Sequence, residues 1–302
     1  MANLLKFAAT AFKGACMGAA DVIPGVSGGT IAFLMGIYQE LLDSIKSING
    51  EAVKLLFAGK ISALWKHING WFLVSLGTGI LVSVFSLARL MKYLLEFHPI
   101  SLWSFFFGLI LASAIYILKG LDKWSIQNII SLLVGVVIAA FICLASPAQT
   151  PDALWFVFIS GAIAICAMIL PGISGSFILL LLGKYAFIMT AVTELNIPVL
   201  AVFGVGCAVG IVSFSHFLSW LLKKFYMLTI ALLSGFMLGS LLKVWPWKVP
   251  GAAEGFDYPA LPGTFEMTTG LDAQLGTSIL FAVLGLSVVL LIELAAGKGK
   301  GK

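Results

Sequence analysis

The chain has 302 residues, of which 61% are hydrophobic and only 10% are Asp, Glu, Lys or Arg, whereas soluble domains are about 45–50% apolar and about 25% charged. A mean hydropathy of +1.09 leaves too few polar residues to cover the surface of a soluble core. Several apolar runs are long enough to cross about 30 Å of hydrocarbon. These features predict an all-α polytopic membrane protein, and they exclude a soluble enzyme, a nucleic-acid-binding protein and a secreted disulfide scaffold.

The charged and metal-binding residue types are sparse. The net charge of +5 comes from 18 basic residues spread thinly between apolar runs, so it reports membrane topology and not nucleic-acid binding. The four cysteines lie inside apolar segments without paired spacing, and the three histidines are scattered. We therefore predict no disulfide, no metal ion and no cofactor.

In chain order, the predicted elements are a helical hairpin, an amphipathic insert, three full crossings, a second hairpin, two crossings, an outer loop, a last crossing and a basic tail. Their ranges, in that order, are 4–45, 48–69, 70–95, 99–118, 126–145, 154–193, 198–222, 225–245, 246–275, 276–296 and 297–302. Each hairpin is broken by a Pro-Gly-x-Ser-Gly run, which begins at Pro24 in the first and at Pro171 in the second. Because proline and glycine at this density end a helix, each hairpin is predicted to return to its starting side, as a re-entrant or a fully spanning structure.

The insert over 48–69 is predicted to lie at the membrane interface. Its apolar residues fall on one helical face, which only Lys60 interrupts. These residues are Val53, Leu56, Phe57, Ile61 and Leu64.

The two hairpins are related in sequence. Aligning 24–38 with 171–185, an offset of 147, gives identity at eight of fifteen positions: Pro24/Pro171, Gly25/Gly172, Ser27/Ser174, Gly28/Gly175, Ile31/Ile178, Leu34/Leu181, Gly36/Gly183 and Tyr38/Tyr185. Similarity resumes downstream at an offset of 127, where Gly77, Gly79 and Ser86 match Gly204, Gly206 and Ser213. The chain is therefore predicted to consist of two repeats, 1–145 and 146–302.

The distribution of lysines predicts the orientation. If the N- and C-termini are cytoplasmic and each hairpin returns to its own side, most lysines in the connecting segments lie inside, and the acidic 246–275 loop lies outside. Each repeat then holds a hairpin and three crossings, an odd number, so the repeats are inverted. Inverted repeats with broken helices are the architecture of secondary transporters.

The hairpin breaks are the strongest chemical signal in the sequence. A helix that starts after each break exposes unpaired backbone N–H groups and a positive dipole end, which suit a phosphate or carboxylate. The predicted substrate-binding residues are Ser27, Gly28, Gly29 and Thr30 in the first hairpin and Ser174, Gly175 and Ser176 in the second. Ser27 and Ser174 are expected near each other, close to the bilayer midplane. The alternative is that these small residues only allow tight helix packing.

Asp21 lies three residues before Pro24, where a carboxylate in the membrane is costly and usually functional. It binds a coupling proton or cation, or it caps backbone donors of its own break, or it is exposed at the interface. The matching position in the second hairpin is Met168.

Arg89 is the only arginine, and the offset of 127 aligns it with His216. Inverted symmetry would place the two on opposite sides of one cavity as cationic phosphate ligands. Alternatively, Arg89 extends to the membrane interface and His216 makes an ordinary helix hydrogen bond. Lys13 and Lys184 are weaker candidates of the same kind.

The run from Asp21 to Thr30 and its echo from Leu170 to Ser176 resemble the PopT-like family of polyprenyl-phosphate transporters, formerly a bacterial domain of unknown function. The resemblance implies a flippase in the bacterial cytoplasmic (inner) membrane that returns undecaprenyl phosphate from the outer to the cytoplasmic leaflet for envelope polymer synthesis. A coupling proton or sodium ion is compatible with this role, and the sequence does not give the oligomeric state.

Two alternatives to this function stay open. One is transport of another anionic lipid or solute. The other is an enzyme, undecaprenyl-pyrophosphate phosphatase, whose similar motif continues with Arg-Ser after the serine and follows a pair of glutamates. Here Gly28 and Gly29 replace Arg-Ser, and 8–20 contains no acid. Because the groups needed for phosphoester cleavage are missing, we predict that the protein is not an enzyme.

Overall fold

The computed structural model of the chain describes residues 2–22, 27–121, 124–251 and 257–297. Pro24 and Gly25 of the first predicted break, part of the predicted outer loop and the last five residues of the basic tail lie outside the described residues. The described residues form fifteen helices and two strands. In chain order these are α1 (Ala2–Asp21), α2 (Gly28–Leu34), α3 (Tyr38–Lys46), α4 (Gly50–Phe57), α5 (Ile61–His67), α6 (Gly70–Phe97), α7 (Pro99–Lys119), α8 (Ile126–Leu144), α9 (Leu154–Ile169), α10 (Gly175–Leu181), α11 (Tyr185–Thr193), α12 (Ile197–Lys224), α13 (Tyr226–Ser240), β1 (Lys248–Pro250), β2 (Asp257–Pro259), α14 (Pro262–Thr269) and α15 (Leu275–Gly297).

The predicted fold class is confirmed. Among the described residues, α6, α7, α8, α12 and α15 are long and apolar enough to cross a membrane. The pair α10 and α11, bent by 110°, makes a sixth such segment if it is one span. The chain is therefore an all-α polytopic membrane protein, apart from one small antiparallel β-ribbon.

The predicted crossing over 225–245 is shorter than expected, because α13 ends at Ser240. The chain then turns and forms β1, which pairs with β2. Pro246 has no backbone N–H with which to continue the helix. The Trp247 indole is buried and donates a hydrogen bond to the Ala273 carbonyl at 2.8 Å. The predicted outer loop is thus a folded cap with its own small core, formed by Ile100, Trp247, Phe265 and Ala273.

The insert, whose apolar residues were predicted to lie on one face of a helix, forms two short helices, α4 and α5. They are separated at Gly59, whose φ of +67° is a left-handed conformation that favours glycine. Val53, Leu56, Phe57 and Ile61 are exposed, as an interfacial segment requires, and Leu64 is half-buried.

The described chain divides into two compact units. The first unit consists of Met1–Ala88, Ala148–Leu170 and Ser174–Tyr226, and the second of Arg89–Pro147, Pro171–Ile173 and Met227–Lys302. These units do not follow the predicted boundary between 145 and 146, since each combines elements from both halves of the sequence.

Within the first unit, the same helix packing occurs twice. A Cβ on Gly79 would collide with the Ala11 carbonyl, so α1 and α6 approach closely there. A Cβ on Gly206 would collide in the same way with the Phe158 carbonyl, between α9 and α12. Gly206 follows Gly79 by 127 positions and Phe158 follows Ala11 by 147, the offsets found in the sequence. The packing thus follows the sequence offsets at these positions, and the two repeats and their inversion stay predictions.

Within the second unit, each close helix pair joins the two halves of the sequence. Helix α7 packs along α15, where Gly108 lies against the Ala282 carbonyl, and the buried Ser104 and Ser278 hydroxyls share a hydrogen bond of 2.7 Å. Helix α8 approaches α13 at Gly135 and Gly235. Small residues let these backbones come into contact, as is usual in membranes.

Candidate functional site

The first hairpin closes the N-terminal end of α2 with its own side chains. Ser27 has extended backbone angles and caps the helix, because its Oγ accepts a hydrogen bond from the Gly29 N–H at 3.1 Å. The Gly28 N–H donates to Asp21 Oδ1 at 2.7 Å, and the Thr30 N–H donates to the Ser27 carbonyl at 3.0 Å. The first three amide donors of α2 therefore all have partners. Of the three roles left open for Asp21, the structure shows the capping role.

This closure differs from the open anion site expected at Gly28 and Gly29. A carboxylate at a helix N-terminus is stabilised by the same donors and dipole that would hold a phosphate. Only six residues separate Asp21 at the end of α1 from Gly28 at the start of α2, so the side chain reaches the break. In the described conformation, Asp21 occupies the position that the sequence assigned to the ligand.

The two hairpins meet inside the first unit, whereas the proximity of Ser27 to Ser174 stays a prediction. The Ser27 hydroxyl lies 3.1 Å from the Leu170 carbonyl and 3.3 Å from the Met168 carbonyl, to which it donates. The Tyr38 hydroxyl donates to the Ile169 carbonyl at 3.1 Å. Ser27 and Thr30 are buried. Polar groups of the first hairpin thus satisfy the carbonyls at the end of α9, directly before the second break. The depth of this contact in the bilayer stays a prediction.

The second hairpin is arranged differently at the matching residues. Ser174 is also extended and precedes α10, but its side chain does not cap the helix. Its Oγ instead shares a hydrogen bond of 2.8 Å with the Ser176 Oγ. The position that corresponds to Asp21 is Met168, which carries no charge. The start of α10 therefore has no serine side-chain cap, and no carboxylate lies at the position that corresponds to Asp21.

Both hairpins have a second break, which the sequence analysis missed. The return arm of each consists of two short helices, separated at Gly36 in the first hairpin and at Gly183 in the second. Both glycines have positive φ, +68° and +62°. The available signal was that Gly36 and Gly183 are themselves a matched pair of the repeat, and glycine is the residue that most readily adopts a positive φ.

Lys13 and Lys184, the weaker phosphate candidates, are both bonded to the protein. Lys184 is only 1% exposed, donates to the Thr150 carbonyl at 2.8 Å and forms an ion pair with Asp152. Lys13 donates to the Met35 carbonyl at 3.1 Å. Lys13 therefore joins the two arms of the first hairpin, and Lys184 fixes the second hairpin to the segment that precedes α9.

His216 and Arg89 have different surroundings. His216 is half-buried on α12 in the first unit, and its Nδ1 is 2.8 Å from the Val212 carbonyl one turn earlier, which leaves Nε2 for another partner. Arg89 is exposed on α6, two residues beyond the apolar stretch that ends at Leu87, and makes no ion pair or hydrogen bond within the described part of the chain. The two residues fall in different compact units, so their pairing stays a prediction.

Comparisons with known proteins give consistent results. Residues 17–254 match the model of a family described as undecaprenyl phosphate translocase-like. The chain is 44% identical to a polyprenyl-phosphate transporter of Vibrio cholerae, over 97% of this chain and 98% of that protein. It is 34% identical to a polyprenyl-phosphate transporter of Staphylococcus aureus, over 78% of this chain and 84% of that protein. No solved structure matches the chain.

Proposed function

The chain belongs to the undecaprenyl phosphate translocase-like family, and from this premise we propose that it carries undecaprenyl phosphate from the outer to the cytoplasmic leaflet. The membrane is the bacterial cytoplasmic membrane, with both termini inside, as the distribution of lysines favours. The polyprenyl tail can stay in the lipid. The headgroup, with a charge of about −1.5 to −2 near neutral pH, needs a polar path through the protein.

The observation that carries this proposal is the contact between the two broken hairpins. Within the first unit, it brings the hydroxyl groups of Ser27 and Thr30 on one hairpin beside the break that leads to Ser174 and Ser176 on the other. Hydroxyl and backbone N–H groups at helix starts are the donors that phosphate prefers. If no charged headgroup passed between these residues, their role would be limited to helix packing.

We infer an exchange mechanism from the closure of α2. A phosphate that binds the Gly28 and Gly29 N–H groups must displace Asp21 from Gly28 and the Ser27 hydroxyl from Gly29, because each N–H group already has an acceptor. Protonation of Asp21 removes its charge and weakens its hydrogen bond with the Gly28 N–H. Uptake of one proton would therefore favour binding of one headgroup. Ser174, Gly175 and Ser176 receive the phosphate in the second hairpin.

The decisive experiment measures the leaflet in which undecaprenyl phosphate resides. Liposomes with the reconstituted protein and the lipid in one leaflet should equilibrate it much faster than protein-free liposomes. A Ser27→Ala, Ser174→Ala double variant should lose most of this rate. An unchanged rate in the double variant would exclude the hairpin contact as the headgroup path.

The same liposomes test the two alternatives to transport of undecaprenyl phosphate. Release of inorganic phosphate from undecaprenyl pyrophosphate would identify a phosphatase, whereas a transporter releases none. Equal movement of phosphatidic acid, a phosphate monoester lipid without the polyprenyl chain, would identify a transporter of anionic lipids in general.

A further inference from the structure

The first unit contains a cavity that the proposed headgroup path does not use. Its volume is about 520 Å³, within the range of about 300–1,000 Å³ that is typical of small-molecule sites. It is lined by residues from the first halves of α1, α3 and α6. None of the lining residues takes part in the hairpin contact at Ser27. The cavity is therefore a candidate for a second ligand.

The position of the cavity follows from how α1 and α6 pack. A Cβ on Gly14 would collide with the Leu76 carbonyl, and a Cβ on Gly18 would collide with the Ile80 carbonyl. Because the contact advances by four residues on both helices, α1 and α6 run in the same direction. The cavity lies on the N-terminal side of this contact, where the lining side chains include large aromatic rings. Close packing at glycine thus ends where the cavity begins.

The cavity lies at the edge of the apolar span of α6. That span covers Gly70–Leu87, and Trp71 and Ser75 of the cavity lie in its first two turns. Trp71 is exposed, as aromatic residues at a membrane boundary often are. Phe7 and the buried Phe72 give the cavity an apolar wall. A lipid of the adjacent leaflet can therefore reach the cavity.

Two opposite charges line the cavity without being paired with each other. Among the described residues, the Lys6 side chain forms no ion pair and no hydrogen bond. Glu40 has no ion pair there either, and its Oε1 accepts a hydrogen bond from Asn69 Nδ2 at 3.0 Å. The half-buried Thr10 hydroxyl likewise has no hydrogen bond within the described part of the chain. The cavity thus offers an ammonium group, a hydroxyl group and a carboxylate to one ligand.

We propose that this cavity binds a zwitterionic phospholipid with a primary ammonium group, such as phosphatidylethanolamine. Lys6 binds the phosphodiester, and Glu40 accepts a hydrogen bond from the ammonium group of the lipid. The exposed Trp71 ring offers its face to the same cation. A phosphate monoester would suit Lys6 but would be repelled by Glu40, so the lipid carried along the headgroup path is the less suitable occupant.

The test is native mass spectrometry of the full chain in detergent, with phosphatidylethanolamine and phosphatidylglycerol of the same acyl chains. The two lipids share the phosphodiester, and only the first carries an ammonium group. The wild type should bind phosphatidylethanolamine about tenfold more tightly or better. Lys6→Met and Glu40→Gln should each weaken this binding by about tenfold, since each removes a bond between charged groups. The matched controls are Lys92→Met and Glu96→Gln, which change exposed residues at the opposite end of α6 and should bind as the wild type does.

Reversal of one charge separates a ligand site from a structural role. Glu40→Lys places two cations in the cavity, so phosphatidylglycerol should then bind more tightly than phosphatidylethanolamine. A merely structural Glu40 would change the melting temperature of the variant and leave its preference for phosphatidylethanolamine as in the wild type. That result would overturn the proposal.

Three other results would also refute the site. They are equal binding of the two lipids by the wild type, unchanged binding by both Lys6→Met and Glu40→Gln, and displacement of phosphatidylethanolamine by farnesyl phosphate in a manner that depends on Lys6. The last result would make the cavity part of the path of the carried lipid. These failures are distinct from a failure of the proposed transport, which can be measured in liposomes that contain no phosphatidylethanolamine.

Discussion

Ser27 and Ser174 occupy matching positions in the two hairpins, but their side chains have different partners. Ser27 caps α2 and holds carbonyls at the end of α9, whereas Ser174 is bonded to Ser176 and caps nothing. The difference follows from one nearby residue. Asp21 completes the closure of the first hairpin, and the second hairpin has Met168 in its place. Equivalent sequence positions therefore do not imply equivalent ligand contacts.

Ser27→Ala should lower stability more than Ser174→Ala. Loss of a serine cap costs about 0.5–2 kcal/mol, and the Leu170 carbonyl would lose its donor as well. Thermal unfolding of the two variants in the same detergent measures the difference. Equal melting temperatures would contradict the role of Ser27 as the structural serine of the pair.

Arg89→Ala should abolish transport if this exposed guanidinium binds the headgroup. Arg89→Lys should lose much of the activity, because an ammonium group cannot make the planar bidentate contact with phosphate. Lys92→Ala is the matched control, since Lys92 is exposed one turn later on α6. Normal transport by a well-expressed Arg89→Ala protein would show that Arg89 does not bind the headgroup and only extends to the membrane interface.

At the scale of elements, the hairpins are built from short helices joined at glycines. The break at Gly183 is the more tightly enclosed of the two, because a Cβ there would lie 2.5 Å from the Ala148 carbonyl. Around Gly36 there is open space. Lys184, next to Gly183, anchors the same break to the segment that precedes α9.

Gly183→Ala should therefore destabilise the protein more than Gly36→Ala. Both alanines would be in the left-handed region, at a cost of about 1–2 kcal/mol. Only the alanine at 183 would also collide with the backbone. The yield of folded protein and its melting temperature report the difference, and an equally mild effect of both changes would contradict the described packing of the second hairpin.

At the scale of the whole molecule, moving an anion toward a negative cytoplasm is opposed by about 2.3 kcal/mol per charge per 100 mV. Movement in the proposed direction would therefore call for cations that move with the headgroup. Asp21 is the acidic group at the hairpin contact. The Nδ1 atom of His216 contacts the Val212 carbonyl, and its Nε2 atom can bind another group. A proton or sodium ion at Asp21 would link the gradient to the exchange at α2.

An imposed inside-negative potential should change the transport rate in liposomes, and a proton or sodium gradient should do so as well. Asp21→Asn should weaken the dependence on that gradient, since the amide neither titrates nor carries charge. Asp43→Asn, which changes an acid bonded to Ser219 and Lys223 away from the hairpin contact, is the control. A wild-type rate that ignores both gradients would leave a passive flippase.

The sequence by itself determined the membrane class, both broken hairpins and most span boundaries. The crossings predicted over 70–95, 99–118 and 126–145 agree with α6, α7 and α8 to within two residues at each end. These features are local, because a crossing needs only a sufficient apolar length and a break needs only proline and glycine at adjacent positions.

Only the tertiary structure decided which polar groups are available to a ligand. The bonds from Ser27 to Leu170 and from Lys184 to Thr150 use donors that the sequence analysis assigned to phosphate, and the bond from the Gly28 N–H to Asp21 selects one of the three roles that it left open. Two further features were also found only in the structure: α13 ends at Ser240, and the predicted outer loop packs around Trp247. In an apolar environment every buried polar group must find a partner. For Ser27 and Tyr38 the partner lies more than a hundred residues away in the sequence, at the end of α9, and no local pattern encodes that choice.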